Sequence, residues 1–357
     1  MSVAGKRSAA FAARVLRRML PASRPRRFVV GGVIAVVSLF GSTAAAAMPS
    51  SAPQAHAARP ATWCPVLPGF TQGMVPVDGG MVHYVMGGSG PVLVLLHGWP
   101  ETWWEWRKEM PAFAKNHTVI AFDLPGLGRS TVPSSGFDAV TTATRIREAV
   151  HDLGFGQVEI LGHDLGVLIA FAYARDYPGE VTRLGVLDSA LNGFGLESAY
   201  TLSFHFLLNM AASPTPEDMI NNTRAERAYL NYMYTFAHKP RAIARQAYYA
   251  AYASPANREA GFDYYRAFPE NESYNLAHQS EQLTIPVLAM GGQYSFGTGV
   301  ATSFDNVAKD VHQVVAPGSG HFIPEEDPHF LIACAGAFFS PSANPKAPAG
   351  YPACAPY

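Results

Sequence analysis

The chain has 357 residues, 48% hydrophobic and 15% charged, with a formal net charge of −1. That length and apolar content permit a large buried core and exclude a disordered or collagen-like protein. Residues 1–47 hold eight Lys and Arg and no Asp or Glu, so the remainder sets 18 Lys and Arg against 27 Asp and Glu, a net charge of −9. Such a surface repels phosphate backbones, and the sequence has no basic stripe for nucleic acid.

The basic start, the uncharged run from Phe28 to Ala47 and the ending "STAAAAM" have the order of an export signal: n-region, h-region, small-residue cleavage site. Arg26-Arg27 ahead of Phe28 fits a twin-arginine signal. An uncleaved anchor is the alternative, since about 20 uncharged residues just span a bilayer. A second A-x-A site at Ala55–Ala57 favours cleavage. The expectation is a secreted or periplasmic protein, in contact with a membrane only if the segment is retained. Cys64, Cys334 and Cys354 agree with export, where two can pair and leave one free; spacing does not say which. No C-x-x-C or clustered His/Cys pattern suggests a metal site, and no cofactor is implied.

After a Pro- and Ala-rich tail over 48–70, "MVPVDGGMVHYVMGG" predicts two short strands around a Gly-Gly turn. "PVLVLLHGWP" is a continuous apolar run, the pattern of a strand covered on both faces. There follow an amphipathic stretch from Glu101 to Lys115, a strand in "HTVIAFDLPG", a helix near Val140 to Leu153, a strand in "QVEILG", an apolar helix after Asp164 and a strand in "VTRLGVLDS". Alternating strand and helix with short connections predicts a mostly parallel sheet with helices on both faces and chemistry at the carboxyl ends of its strands. Over 191–280 the rhythm stops: helical stretches carry ten of the sixteen tyrosines, and no strand is evident. The αβ pattern resumes with "IPVLAMGG", "VHQVVAPGSGHF" and a last helix from Glu325 to Phe339. We therefore expect one α/β core over 71–190 and 281–340, an inserted helical cap over 191–280 and a peripheral tail over 341–357.

In "ILGHDLGVLIAFAYA", glycines stand two before and two after Asp164, between a strand and an apolar helix. This is the G-x-S-x-G nucleophile elbow with a carboxylate at its crest. A carboxylate is ionised at neutral pH and suits in-line displacement at a saturated carbon with a strained or good leaving group, which points to epoxides or carbon–halogen bonds. The product is an ester of the enzyme, which must then be hydrolysed. His321, in "PGSGHF", is placed to activate water and needs an acid to orient it. The stretch "GGQYSFGTG" offers none; Asp188, ending "LGVLD", is the candidate, with Asp305 next. Backbone N–H groups of Trp99 and Leu165 are the expected oxyanion hole, and Pro100 and Trp104 are expected in the substrate pocket. His97 and His163 are read as scaffold.

Together "HGWPETWWEWR", "DLPGLGRS", "GHDLG", "FDYYRAF" and "PGSGHFIPEEDP" resemble the α/β-hydrolase-fold epoxide hydrolases, above all their secreted bacterial, Cif-like group, over roughly 70–340. The resemblance implies an α/β-hydrolase fold and conversion of a small-molecule epoxide and water to a vicinal diol. It also implies two cap donors to the epoxide oxygen, matching Tyr265 in a Tyr-Arg pair and His205 in "SFHFLLN". The relay acid it implies matches Asp188, where the Cif-like enzymes carry Glu. The fold makes a homodimer an expectation by analogy. The competing reading is a dehalogenase using the same nucleophile. Fluoroacetate dehalogenases carry arginines in the elbow, where Leu165 and Leu168 stand, and haloalkane dehalogenases usually carry Trp directly after the nucleophile. A non-catalytic binding module is a third reading, and no missing nucleophile, base or oxyanion motif favours it.

Overall fold

The computed structural model describes residues 65–342 and 347–354. The expected export segment and Cys64 lie outside them. Eight strands form one sheet: β1 (Phe70–Val77), β2 (Gly80–Gly88), β3 (Val92–Leu96), β4 (Thr118–Phe122), β5 (Val158–His163), β6 (Val181–Leu187), β7 (Val287–Gly292) and β8 (Val311–Ala316). Their order is β1-β2-β4-β3-β5-β6-β7-β8, with β2 antiparallel to both neighbours and the remaining pairs parallel. The β1–β2 register pairs Val77 with Gly80. The turn is therefore Asp78-Gly79 rather than Gly-Gly, with Gly79 at φ 81° and Gly80 inside β2.

Hydropathy explains the layering. β3 is "VLVLL" and every residue of it is buried, as is every residue of β5, so both lie covered at the centre of the sheet. Between β3 and β4 runs a 3₁₀ segment, Trp103–Lys108, and then one turn of helix, α1 (Met110–Phe113). α2 (Ala139–Asp152) starts where Asp138 Oδ1 accepts the Thr141 N–H at 2.8 Å. α3 (Leu165–Asp176) buries nearly all its residues, as a helix apolar on every side must.

The chain between β6 and β7 is helical: α4 (Phe204–Asn209), α5 (Thr215–Met219), α6 (Thr223–Met233), α7 (Arg245–Ala251), α8 (Pro255–Arg266) and α9 (Phe268–Ala277). After β7 come α10 (Gly299–Phe304), α11 (Ile323–Glu326) and α12 (Pro328–Phe338). The single last helix expected from the sequence is thus two. Asp327 precedes a proline and leaves the helical region, and its side chain caps α12 at Phe330 N–H. The tail is not wholly peripheral: Cys354 is buried and disulfide-bonded to Cys334 of α12. Among the described residues no helix is long and apolar enough to cross a membrane.

Because β4 lies to one side of β3 and β5 to the other, the loops leaving β3 and β5 diverge and open a crevice at the carboxyl ends of the strands. "HGWP" and the Asp164 turn both lie there.

Candidate active site

Asp164 occupies the turn between β5 and α3 with φ 50° and ψ −115°, a conformation that non-glycine residues rarely adopt. The flanking glycines permit it. A Cβ on Gly162 would meet the Gly166 carbonyl, and one on Gly166 would meet that of Leu96, so only glycine allows strand, turn and helix to approach this closely. The Trp99 N–H donates to Asp164 Oδ1 at 2.8 Å. Leu165 opens α3, where backbone N–H groups lack intrahelical acceptors.

His321, after β8, completes the array. Its Nε2 stands 3.4 Å from Asp164 Oδ2, and its Nδ1 lies 2.7 Å from Asp188 Oδ2. Asp188 leaves β6 at φ 50°, fully buried, and its Oδ1 accepts N–H bonds from Gly292 at 2.6 Å and Phe296 at 3.3 Å. Aspartate therefore spans the gap to His321 without the extra methylene of glutamate. Asp305, the other candidate acid, is exposed at the end of α10. Burial opposes charge on both members of the central pair, yet their mutual bond prevails. The Asp164 carboxyl is held down to about 2 by its hydrogen bond to His321. His321, drawn down by burial but bonded to two carboxylates, is raised well above the usual histidine value.

His97 and His163 are framework residues. His97 accepts the Leu124 N–H at Nε2 and donates from Nδ1 to Gly98 O. His163 donates from Nε2 to the His321 carbonyl at 2.9 Å, while its Nδ1 lies 3.0 Å from Glu105 Oε2. Glu101, Glu105 and His163 are the one group among the described residues with ligand atoms close enough together for a metal ion. Burial raises both carboxyl pKa values well above the ordinary range.

Opposite Asp164, the helical insertion supplies His205 from α4 and Tyr265 from α8, both buried, with ring centroids 5.7 Å apart. Burial lowers the His205 pKa to about 4 and raises that of Tyr265 well above its usual value, so both are neutral at pH 7 and able to donate. Asp164, Leu165, His205, Tyr265 and His321 all line one cavity of about 550 Å³, largely apolar, among whose lining residues there is no Lys or Arg.

The α/β-hydrolase-fold family model matches residues 91–328. The soluble epoxide hydrolase of Corynebacterium sp. (strain C12) is 36% identical over 285 residues, covering 76% of this chain and 98% of that protein. The solved structure of epoxide hydrolase CorEH without ligand is 35% identical at a TM-score of 0.71, over 76% of this chain and 99% of that one. The chain belongs to the epoxide hydrolases of the α/β-hydrolase family. A fluoroacetate dehalogenase from Burkholderia sp is 37% identical over 125 residues, but over only 34% of this chain and 41% of that protein.

In this epoxide hydrolase two expected pocket residues lie elsewhere. Pro100 is buried, its carbonyl accepting from the Tyr234 hydroxyl, and does not line the cavity. Trp104 packs edge-on against Trp103 and under Arg107, facing a separate groove beside Pro240 and Ala247. The cause is the 3₁₀ repeat capped by Thr102: residues three apart align, so Trp103 and Trp106 point inward and Trp104 outward. Sequence reading also missed the role of "GGQYSFGTG". Lacking an acid, it instead supplies the two backbone donors that hold Asp188. Backbone N–H groups leave no residue-type signal.

Proposed function

We propose that this epoxide hydrolase opens neutral epoxides in two steps through an ester on Asp164. An Asp164 oxygen attacks a ring carbon in line with the breaking C–O bond, while His205 and Tyr265, in a cap formed by the helical insertion, donate hydrogen bonds to the departing oxygen. The alkoxide takes the proton of His321. That transfer is favoured because ester formation removes the charge of Asp164, and with it part of what held the proton on His321. Neutral His321, oriented by Asp188, then takes a proton from water as the water oxygen attacks the ester carbonyl. The Trp99 and Leu165 N–H groups receive the oxyanion, and collapse returns the Asp164 carboxylate, protonated His321 and a vicinal diol. Atoms and protons sum to epoxide plus water.

The observation that carries this reading is a carboxylate, not a serine, 3.4 Å from His321 Nε2 in a cavity whose lining residues include no Lys or Arg. A carboxylate-bearing haloacid would find no Lys or Arg there, and His321 already faces the carboxylates of Asp164 and Asp188, which favours a neutral substrate over a fluoroacetate-type one. The test is the intact mass of His321→Gln after exposure to terminal and internal epoxides and, separately, to fluoro- and chloroacetate. We expect an adduct of the whole epoxide mapping to Asp164 and none from the haloacids. An adduct from haloacids alone, or none from any epoxide, would sink the mechanism.

A further inference from the structure

Ser203 stands at the N-cap of α4, yet its hydroxyl does not cap the helix. Serine at that position ordinarily accepts an N–H from the first turn. Here Oγ lies 2.5 Å from His205 Nδ1 and 2.8 Å from the Tyr232 hydroxyl, which comes from α6. Nδ1 is thereby occupied. Among the described contacts the ring's one side-chain hydrogen bond is at Nδ1, and the ring lines the cavity. Nε2 is the nitrogen left to meet a ligand.

We propose that Tyr232 and Ser203 form a two-hydroxyl chain that holds neutral His205 in its Nε2–H tautomer, so that the ring presents a donor and not a lone pair to the epoxide oxygen. A phenol is a better donor and poorer acceptor than an aliphatic hydroxyl, so the Tyr232 O–H donates to Ser203 Oγ. Ser203 has one proton, and among the described contacts Nδ1 is the only acceptor left for it; donating there satisfies that proton, and Nδ1 can accept it only if the ring proton is on Nε2. The reverse polarity would aim a lone pair at the site where Asp164 is charged and where alkoxide character develops. Ser203 and Tyr232 are positioning residues in this account, acting through His205. The proposal rests on the ring-opening role given to His205 above.

The test separates the two. In ¹⁵N-histidine-labelled enzyme at pH 7, with His205 assigned by comparison with His205→Gln, we expect an unprotonated Nδ1 and a protonated Nε2. Ser203→Ala and Tyr232→Phe should mix the tautomers, and Ser203→Thr should restore the wild-type signal. In the His321→Gln background, mass gain from epoxide should slow roughly five- to tenfold in Ser203→Ala, the scale of one lost neutral hydrogen bond, and recover in Ser203→Thr. A wild-type Nδ1–H tautomer, or an unchanged Nε2–H tautomer in both Ser203→Ala and Tyr232→Phe, overturns the proposal. A shifted tautomer with unchanged alkylation upholds the chain and overturns the role of His205 in ring opening.

Discussion

Asp164 and Asp188 are the two non-glycine residues with positive φ among those described, each at 50° where a central strand ends. Such a backbone costs on the order of 1–3 kcal/mol and persists only where surroundings over-determine it. Here the two carboxylates flank His321. Their combined field raises the His321 pKa well above the usual histidine value against the opposing effect of burial. A histidine whose pKa is raised by two anions falls when one is neutralised, so the proposed ester should hold a more acidic His321 than the free enzyme. We expect single-turnover diol release to rise with pH through an apparent pKa below that of His321 in the resting enzyme, measured by NMR titration. Asp164→Asn should lower the resting value in the same direction. An equal or higher apparent pKa in the turnover experiment would remove His321 from the role of base.

At the scale of elements, α8 connects the helical insertion to the core. The Tyr264 hydroxyl donates to the Pro125 carbonyl at 2.8 Å and the Asn257 amide to that of Gly126, so "DLPGLGRS" is the seat on which this helix rests. Gly261 of α8 lies directly over the Trp99 indole, where a Cβ would collide with Nε1. Trp99 is itself buried among Tyr229, Tyr252, Phe262 and Tyr265, so it has nowhere to move. In Gly261→Ala the gain in helix propensity, about 1 kcal/mol, opposes an overpacking cost of about 1–3 kcal/mol. We expect net destabilisation by calorimetry. Displacement of α8 should also slow alkylation of the His321→Gln background, because Tyr265 and the Trp99 N–H both depend on this contact. A variant as stable and as readily alkylated as its parent would show that the contact is slack.

For the molecule as a whole, the disulfide fixes the described part of the tail against the core. Cys334 and Cys354, 20 residues apart, fasten the tail to α12, and Tyr351 packs against Phe330. A closed loop of that length restricts the unfolded chain by about 3 kcal/mol. Cys354→Ala should therefore lower the thermal midpoint by roughly 5–10 °C while leaving turnover of epoxide intact, since neither cysteine lines the cavity. An unchanged midpoint under oxidising conditions would mean that the bridge adds nothing.

The order of strands and helices and the elbow were legible in the amino-acid order, because periodicity and glycine spacing are local, and the three residues singled out there, Asp164, His321 and Asp188, lie together. His205 and Tyr265, singled out through resemblance of their motifs, line the same cavity. Contacts made by backbone groups or set by the phase of a turn were not legible. The N–H donors to Asp188 carry no side-chain label, and the outward turn of Trp104 depends on the phase in which its helical segment meets the core. The Ser203–Tyr232 contact joins residues 29 positions apart on different helices, and the pairing of Cys334 with Cys354 likewise follows from where α12 and the tail meet. Sequence determined which groups have the chemistry; packing decided which of them touch, because contact is settled by the summed geometry of elements that no single stretch encodes.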